Sequence, residues 1–344
     1  MRAISELIKR NTTLIEINLS ENSITDEGIG YLCTPLKINK TLKRLYLSWN
    51  NIGDEGSLYI SESLKANSTL LNLDLSNNDI SDVGLKHISE SLKLNSTLLK
   101  ISFRYNNIGA EGIVFFAESL KLNQTLKSVD FKFNDVGDDG MKYLSNSLKY
   151  NSSLKKIDIS HNNIGDQGLM LLCESILTNT SLKIILLSEN VIGIEGMNHL
   201  VNSLKINPTL IRIDLSKNNI GDHEIKYICE SLKLNSNLTQ INIYNESEEE
   251  FQEERENNLM KKISFLLNCN VEWNSSNHSS IFSEFKSSVF TFLLCLKKIQ
   301  KNFVFKIPKF VVFEIIKKIE RKAFFHLWTE SPHVNKKRKR TSIY

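Results

Sequence analysis

Residues Leu70 to Asn78 read Leu-Leu-Asn-Leu-Asp-Leu-Ser-Asn-Asn, followed by Asp79-Ile80. The leading leucine recurs every 28 residues, as Leu14, Leu42, Leu70, Leu98, Leu126, Leu154, Leu182, Leu210 and Leu238, with no slip of register. Nine copies at one period mark a repeat architecture. Counting the leucine as position one, Leu70, Leu73 and Leu75 follow the near-two spacing of a strand buried on one face. After Asp82 the spacing changes, and Leu85, Ile88, Ser89 and Leu92 fall on one helical face. Asp82 reads as a helix N-cap, with Asp26, Asp54, Asp138, Asp166 and Asp222 as its equivalents. Asn95 reads as the closing residue, in a left-handed conformation that asparagine tolerates. Each unit is therefore one strand and one helix.

Neither element can bury its apolar side alone, so units must stack into one parallel sheet backed by helices. Strands sit about 4.8 Å apart and packed helices about 8–10 Å apart. The helical side is then the longer one, and the stack is expected to bend with the sheet inside. The ninth-position asparagines, Asn22, Asn50, Asn78, Asn106, Asn134, Asn162, Asn190 and Asn218, should form a ladder that satisfies buried turn backbone.

The pattern L-x-x-L-x-L-x-x-N on a 28-residue unit resembles the leucine-rich repeats of ribonuclease inhibitor and of the NOD-like receptors. The resemblance covers about residues 1–244. It implies an α/β leucine-rich repeat solenoid (a horseshoe) with a concave parallel sheet and convex helices. A small helical C-terminal extension follows. Function is implied only as a class, since such folds mostly serve as binding surfaces with varied ligands.

Composition agrees with an ordered protein: 41% of residues are hydrophobic, four are proline, and the net charge is +4. No N-terminal apolar signal segment is visible. The longest apolar run, Val289 to Leu296 interrupted by Thr291, is far short of the roughly 20 residues that span a bilayer. A reducing, cytoplasmic location is expected, with no membrane partner. Cys33, Cys173 and Cys229 share the repeat position that holds Ser61, Ser89, Ala117 and Ser145, which points to packing. Cys269 and Cys295 are isolated, and neither a metal site nor a cofactor is expected.

Residues 1–10 supply a helix without its own strand; Ile4 and Ile8 align with Leu32 and Leu36. This helix is either the solenoid's cap or the start of a fragment of something longer, the latter slightly favoured. Pro35 lies near the end of the first complete helix and is expected to distort it. Copy seven carries Ile184 and Leu186 where other copies are polar, and copy eight has Glu224 for the usual glycine.

Strand positions three, five and seven should face out of the sheet, with position eight at its edge. Most copies keep serine at position seven, but three carry Arg104, Lys132 and Tyr244. Position eight includes Trp49, Tyr105, Phe133 and His161. Arg104, Lys132 and these four, together with Arg44 and Tyr46, form the eight-residue candidate partner-binding site, because exposed aromatics interleaved with arginine have hot-spot composition. The alternative is that they merely pack along the sheet edge. Asp158-Ile159-Ser160-His161 holds the residue types of a hydrolase triad, but Asp158 and Ser160 are repeat consensus and no nucleophile elbow accompanies them. No catalytic residue is assigned. His87, His199 and His223 lack ligand spacing. The sequons at Asn67, Asn95, Asn123 and Asn151 arise from the repeat itself.

After Tyr244 the repeat breaks. Residues 245–273 read as an acidic insertion, dense in glutamate from Glu246 to Glu256, and a capping helix with Leu259, Ile263, Leu266 and Leu267. Ran GTPase-activating proteins also join this repeat type to an acidic tail. Residues 274–284 are a polar linker. Residues 285–330 form a helical extension, in which Ile307-Pro308 before Phe310-Val311-Val312 is similar to the opening of an F-box. Leu294-Cys295 with a later Ile-Pro is loosely similar to a SOCS box. Residues 331–344 are a basic tail with Lys336, Lys337, Arg338, Lys339 and Arg340, a nuclear-import candidate without the aromatic interleaving of specific nucleic-acid readers. The expected function is a non-catalytic scaffold binding a protein on the concave face. Alternatives are a ubiquitin-ligase substrate receptor that docks its adaptor through the C-terminal helices, and a Ran-type GTPase-activating protein.

Overall fold

A computed structural model of the chain describes residues 1–221, 235 and 237–243. The expectations for 245–273, 274–284, 285–330 and 331–344 lie outside the described residues. Within them the chain alternates strictly. It runs α1 (Arg2–Arg10), β1 (Glu16–Asn18), α2 (Asp26–Leu36), β2 (Arg44–Tyr46), α3 (Asp54–Ala66), β3 (Asn72–Asp74), α4 (Asp82–Leu92), β4 (Lys100–Ser102) and α5 (Ala110–Leu122). It continues with β5 (Ser128–Asp130), α6 (Gly137–Leu148), β6 (Lys156–Asp158), α7 (Asp166–Ile176), β7 (Ile184–Leu186), α8 (Ile194–Leu204), β8 (Arg212–Asp214) and β9 (Gln240–Asn242). The strands form one open parallel sheet in the order β1 to β9, each paired with its neighbour 28 residues away, as Leu45 is with Leu73.

Position-one, -four and -six side chains of the strands and the inner faces of the helices meet in one continuous core. Leu42, Leu70 and Leu98 are almost fully buried in it. In copies four and five the core is aromatic: Phe103 stacks on Phe131 at 5.3 Å, and Phe116 meets Phe131 edge-on at 4.9 Å. Cys33 and Cys173 occupy the small-residue slot, where burial pushes each thiol up to about 12.

Three polar ladders cross the repeat boundaries, the third of them interrupted where Ala110 and Ile194 stand in place of aspartate. The first is the expected one: Asn78 Nδ2 reaches the carbonyls of Leu47, Leu75 and Ser76 at 3.0–3.1 Å, while its Oδ1 accepts the Ile52 N–H. The second corrects the reading of Asn95. Its counterpart Asn67 has φ −75° and ψ 127°, an extended conformation rather than a left-handed one. Asn95 itself donates to the carbonyls of Leu64 and Asn67 and accepts the N–H groups of Thr97 and Leu98. It therefore ties the turn leaving one helix to the turn before it.

The third ladder corrects the reading of the aspartates. Asp54 is the first residue of α3, but its carboxylate serves the start of α4, accepting Ser81 N–H at 2.9 Å, Ser81 Oγ–H at 2.6 Å and Gly84 N–H at 2.8 Å. Asp26, Asp82, Asp138 and Asp166 likewise reach the next unit, at Gly53, Gly109, Gly165 and Gly193. In the copies with this aspartate, the repeated glycine follows from it, while Gly140, behind Ala110, is crowded by Val136. A Cβ at Gly56 would lie 2.5 Å from Asp26 Oδ1, and one at Gly84 2.5 Å from Asp54 Oδ1. In the sequence both partners change together at the far end, where Ile194 replaces the aspartate and Glu224 the glycine. Pro35 does not shorten α2, which spans the same 11 residues as α4, α7 and α8; the proline sits next to the last residue, where the helix is already ending.

Asn106→Ala leaves the N–H of Ile80 without its partner and takes one of two amide donors from each of the Leu75 and Phe103 carbonyls, which keep Asn78 and Asn134. The expected loss is roughly 1–3 kcal/mol of unfolding free energy, read by urea denaturation. Gly56→Ala is expected to cost about 1–3 kcal/mol, and Asp26→Ala in the same chain to return part of it. A double-mutant cycle that shows the two changes adding independently would contradict the steric account.

Candidate functional site

On the outer face of the sheet the alternation expected from the sequence holds. The middle residue of β2 to β8 is buried, while the flanking third- and fifth-position side chains lie at the surface or half-buried, except for buried Asp158. The chain leaves each strand through position eight, which is left-handed in every copy from Glu21 to Lys217. Trp49 (φ 56°), Tyr105 (52°), Phe133 (57°) and His161 (52°) are bulky residues in a region that costs side-chain-bearing residues about 1–2 kcal/mol. The conformation is held by the ladder beyond the strand: Tyr105 N–H donates to the Lys132 carbonyl and Phe133 N–H to that of Ser160.

Because this backbone repeats, the rings line up. Tyr105 and Phe133 stack at 3.9 Å with 8° between their planes, and His161 lies over the far side of Phe133 at 4.1 Å, tilted by 32°. The Arg104 guanidinium sits 5.1 Å from the Tyr105 ring centre and 5.6 Å from that of Phe133. Lys132 Nζ is 5.0 Å from the Phe133 ring and 3.6 Å from Glu189. Five of the eight expected residues thus form one cluster. The rings wall a depression of about 630 Å³ that Asp82, Asn107 and Asp135 complete. Tyr105 remains 38% exposed.

The other three residues stand apart. Arg44 pairs with Glu16 on the neighbouring strand, Tyr46 is half-buried on β2, and Trp49 is 61% exposed with no ring against it among the described residues. Asn77 occupies position eight between Trp49 and Tyr105, so the column is interrupted there. Asp158, Ser160 and His161 form no relay. Asp158 Oδ1 accepts the Ser160 backbone N–H at 3.1 Å, and the His161 ring is on Phe133.

Two neighbours of the cluster escape a residue-type reading. Glu189 holds both Lys132 and Lys217, at 3.6 and 3.8 Å. Asp130 lies in register with Asp158, and burial together with that second carboxylate pushes its acid up to about 6, against the Lys132 N–H bond that favours the charged form. The only signal available in the sequence was the row of aspartates at position five.

Seven stretches, residues 10–33, 39–61, 66–89, 94–117, 122–145, 150–173 and 207–223, match the family described as Leucine Rich repeat. Leucine-rich repeats are thus found between residues 10 and 223. The match passes over the copy with Ile184, Leu186 and Ile194, which nonetheless forms β7 and α8 in line with the rest. No curated protein matches the chain. A solved structure titled Leiomodin-1 Actin-Binding Site 2 (ABS2) is 27% identical over 42% of this chain and 86% of its own, with a TM-score of 0.39. So loose a fit carries no argument about partners.

Asp130 binds its proton more tightly in the fold than in the unfolded chain. Between its ordinary value of 3.8 and about 6 the folded state therefore holds more protons, and this group's contribution to stability falls as pH rises through that window. Asp130→Asn keeps an oxygen for the Lys132 N–H. It should raise the urea midpoint at pH 7 and leave it nearly unchanged at pH 4; equal shifts at both pH values would refute the assignment.

Proposed function

We propose that the protein is a non-catalytic scaffold that binds a protein partner on the open face of its sheet, the face read from the sequence as concave. The column Tyr105–Phe133–His161 and the separate Trp49 are the anchors. The observation that carries this reading is the column itself: three rings stacked at 3.9 and 4.1 Å on a backbone that fixes their direction, with edges still exposed. Side chains ordered before binding lose little entropy on contact, which is how aromatic hot spots reach their strength. Arg104 makes no ion pair among the described residues, so its charge is available to orient an acidic group of the partner. Mutual packing of the rings does not compete with this role, since stacking supplies the preorganisation.

The 28-residue unit is similar to those of ribonuclease inhibitor and NOD-like receptors, which supports interaction rather than catalysis as the class of function. The ligase-receptor and GTPase-activating readings rest on residues outside those described.

Affinity capture from the native cell, read by mass spectrometry, identifies the partner. Trp49→Ala with Tyr105→Ala is then expected to weaken its binding on the order of a hundredfold, with the thermal unfolding temperature lowered by no more than a few degrees. Unchanged capture by a folded double variant would overturn the site.

A further inference from the structure

The five most exposed large apolar side chains among the described residues are Ile38 (62%), Leu94 (69%), Leu122 (65%), Tyr150 (66%) and Ile206 (71%). All five occupy one repeat position, at the helix end (Leu122) or in the turn just after it, immediately before the asparagine of the second ladder. They therefore stand in a row along one edge of the solenoid, with Ala66 and Thr178 at the two positions between them that are not large and apolar. Ile38 and Ile206 are six units apart, on the order of 30–60 Å from strand and helix spacings. The residue before each is a lysine. A second row at the strand start adds Lys43, Lys127, Lys155 and Lys183, which make no ion pair among the described residues. The carboxylates nearby, Glu62, Glu90, Glu118 and Glu174, each already face a lysine.

All the described helices run parallel, so their C-terminal ends share this edge, and lysines there offset the helix dipoles. That accounts for the charge and leaves the aliphatics unexplained, since apolar side chains at 60–70% exposure contribute almost nothing to the core. A single projecting line of four aliphatic side chains and a tyrosine is a ridge, not a groove. It suits a soft, flat counter-surface that side chains can enter, and the flanking lysines suit a negative one.

We propose that this edge attaches the protein peripherally to an anionic lipid membrane. The aliphatic side chains enter the boundary between headgroups and acyl chains, and the lysines lie along their own stems to reach lipid phosphates. The ion pairs of Lys93, Lys121 and Lys149, partly exposed and individually weak, yield to the lipid headgroups. No helix of the described residues is long and apolar enough to cross a membrane. The expectation of no membrane partner rested on the lack of a spanning segment, which has no bearing on surface attachment.

The test is sedimentation of the full chain with vesicles of phosphatidylcholine alone or with about 30% phosphatidylserine. Binding is expected to the anionic vesicles, to fall as salt is raised, and to weaken at least about tenfold for the combined variant Leu94→Ser, Leu122→Ser, Ile206→Ser. The substituted positions are exposed, so the unfolding temperature should be unchanged. As a second reading, Leu122→Trp should show blue-shifted emission, relative to the parent chain, when anionic vesicles are added. No binding to anionic vesicles overturns the proposal. So does binding that the triple variant leaves intact, which would place the contact on basic residues elsewhere. A wild-type dimer abolished by the triple variant, with no vesicle binding, would make the ridge a contact between copies and equally overturn it.

Discussion

Buried turn backbone is the constraint on which this structure depends. A strand of three residues and a helix of 11 to 13 leave many main-chain groups in the turns at both edges. Such groups cannot be buried unpaired. Here the side chains that pair them come from the adjoining repeat: Asn78 reaches back to Leu47, Asn95 to Leu64, and Asp54 forward to Ser81 and Gly84. No unit satisfies itself, so order is transmitted from one neighbour to the next, as expected of a one-dimensional stack. At Gly56, Gly84, Gly112, Gly168 and Gly196 a side chain would collide with the carboxylate of the preceding unit, so the glycine is a by-product of that ladder; Gly140, behind Ala110, is kept by Val136 instead.

That regularity turns single positions into surfaces. A residue type placed twice at one repeat position becomes a contact, and placed three times it becomes a column. Position eight shows this most clearly. Its left-handed backbone is imposed by the hydrogen bond to the following unit, whatever the side chain, and Tyr105, Phe133 and His161 are aligned as a consequence. The exposed aliphatic ridge at the opposite end of the strands is built in the same way, from a different position. The two surfaces lie on different edges of the sheet and can act independently.

Charge follows the same logic. Parallel helices place their N-termini at one edge and their C-termini at the other, and acidic first turns and basic helix ends follow suit. Across the face between them, the fifth-position aspartates stand near enough for Asp158 to disfavour the ionised form of Asp130, while Arg104 and Lys132 gather over the rings. Conflict between like charges is tolerated because the ladders and the core hold the strands in register regardless.

Much of this was determined by the sequence alone. A period of 28 residues fixes unit length, strand and helix within each unit, the core leucines and the ninth-position ladder, since periodicity is a local property and each unit repeats the evidence. The candidate residues on the sheet were found for the same reason: Arg104, Lys132 and the aromatics depart visibly from a bland consensus. Other features belonged to the tertiary structure. Asp54 reads as a cap for its own helix because capping is normally local, and only the stacking shows the carboxylate serving the next one. Asn95 reads as a left-handed terminus because its residue type allows it, although its partners lie 28 and 31 residues away. The separation of Trp49 from the ring column, and the hold of Glu189 on Lys132, depend on which side chains touch across strands. Residue type sets what each group can do, and the spacing between units decides which groups meet.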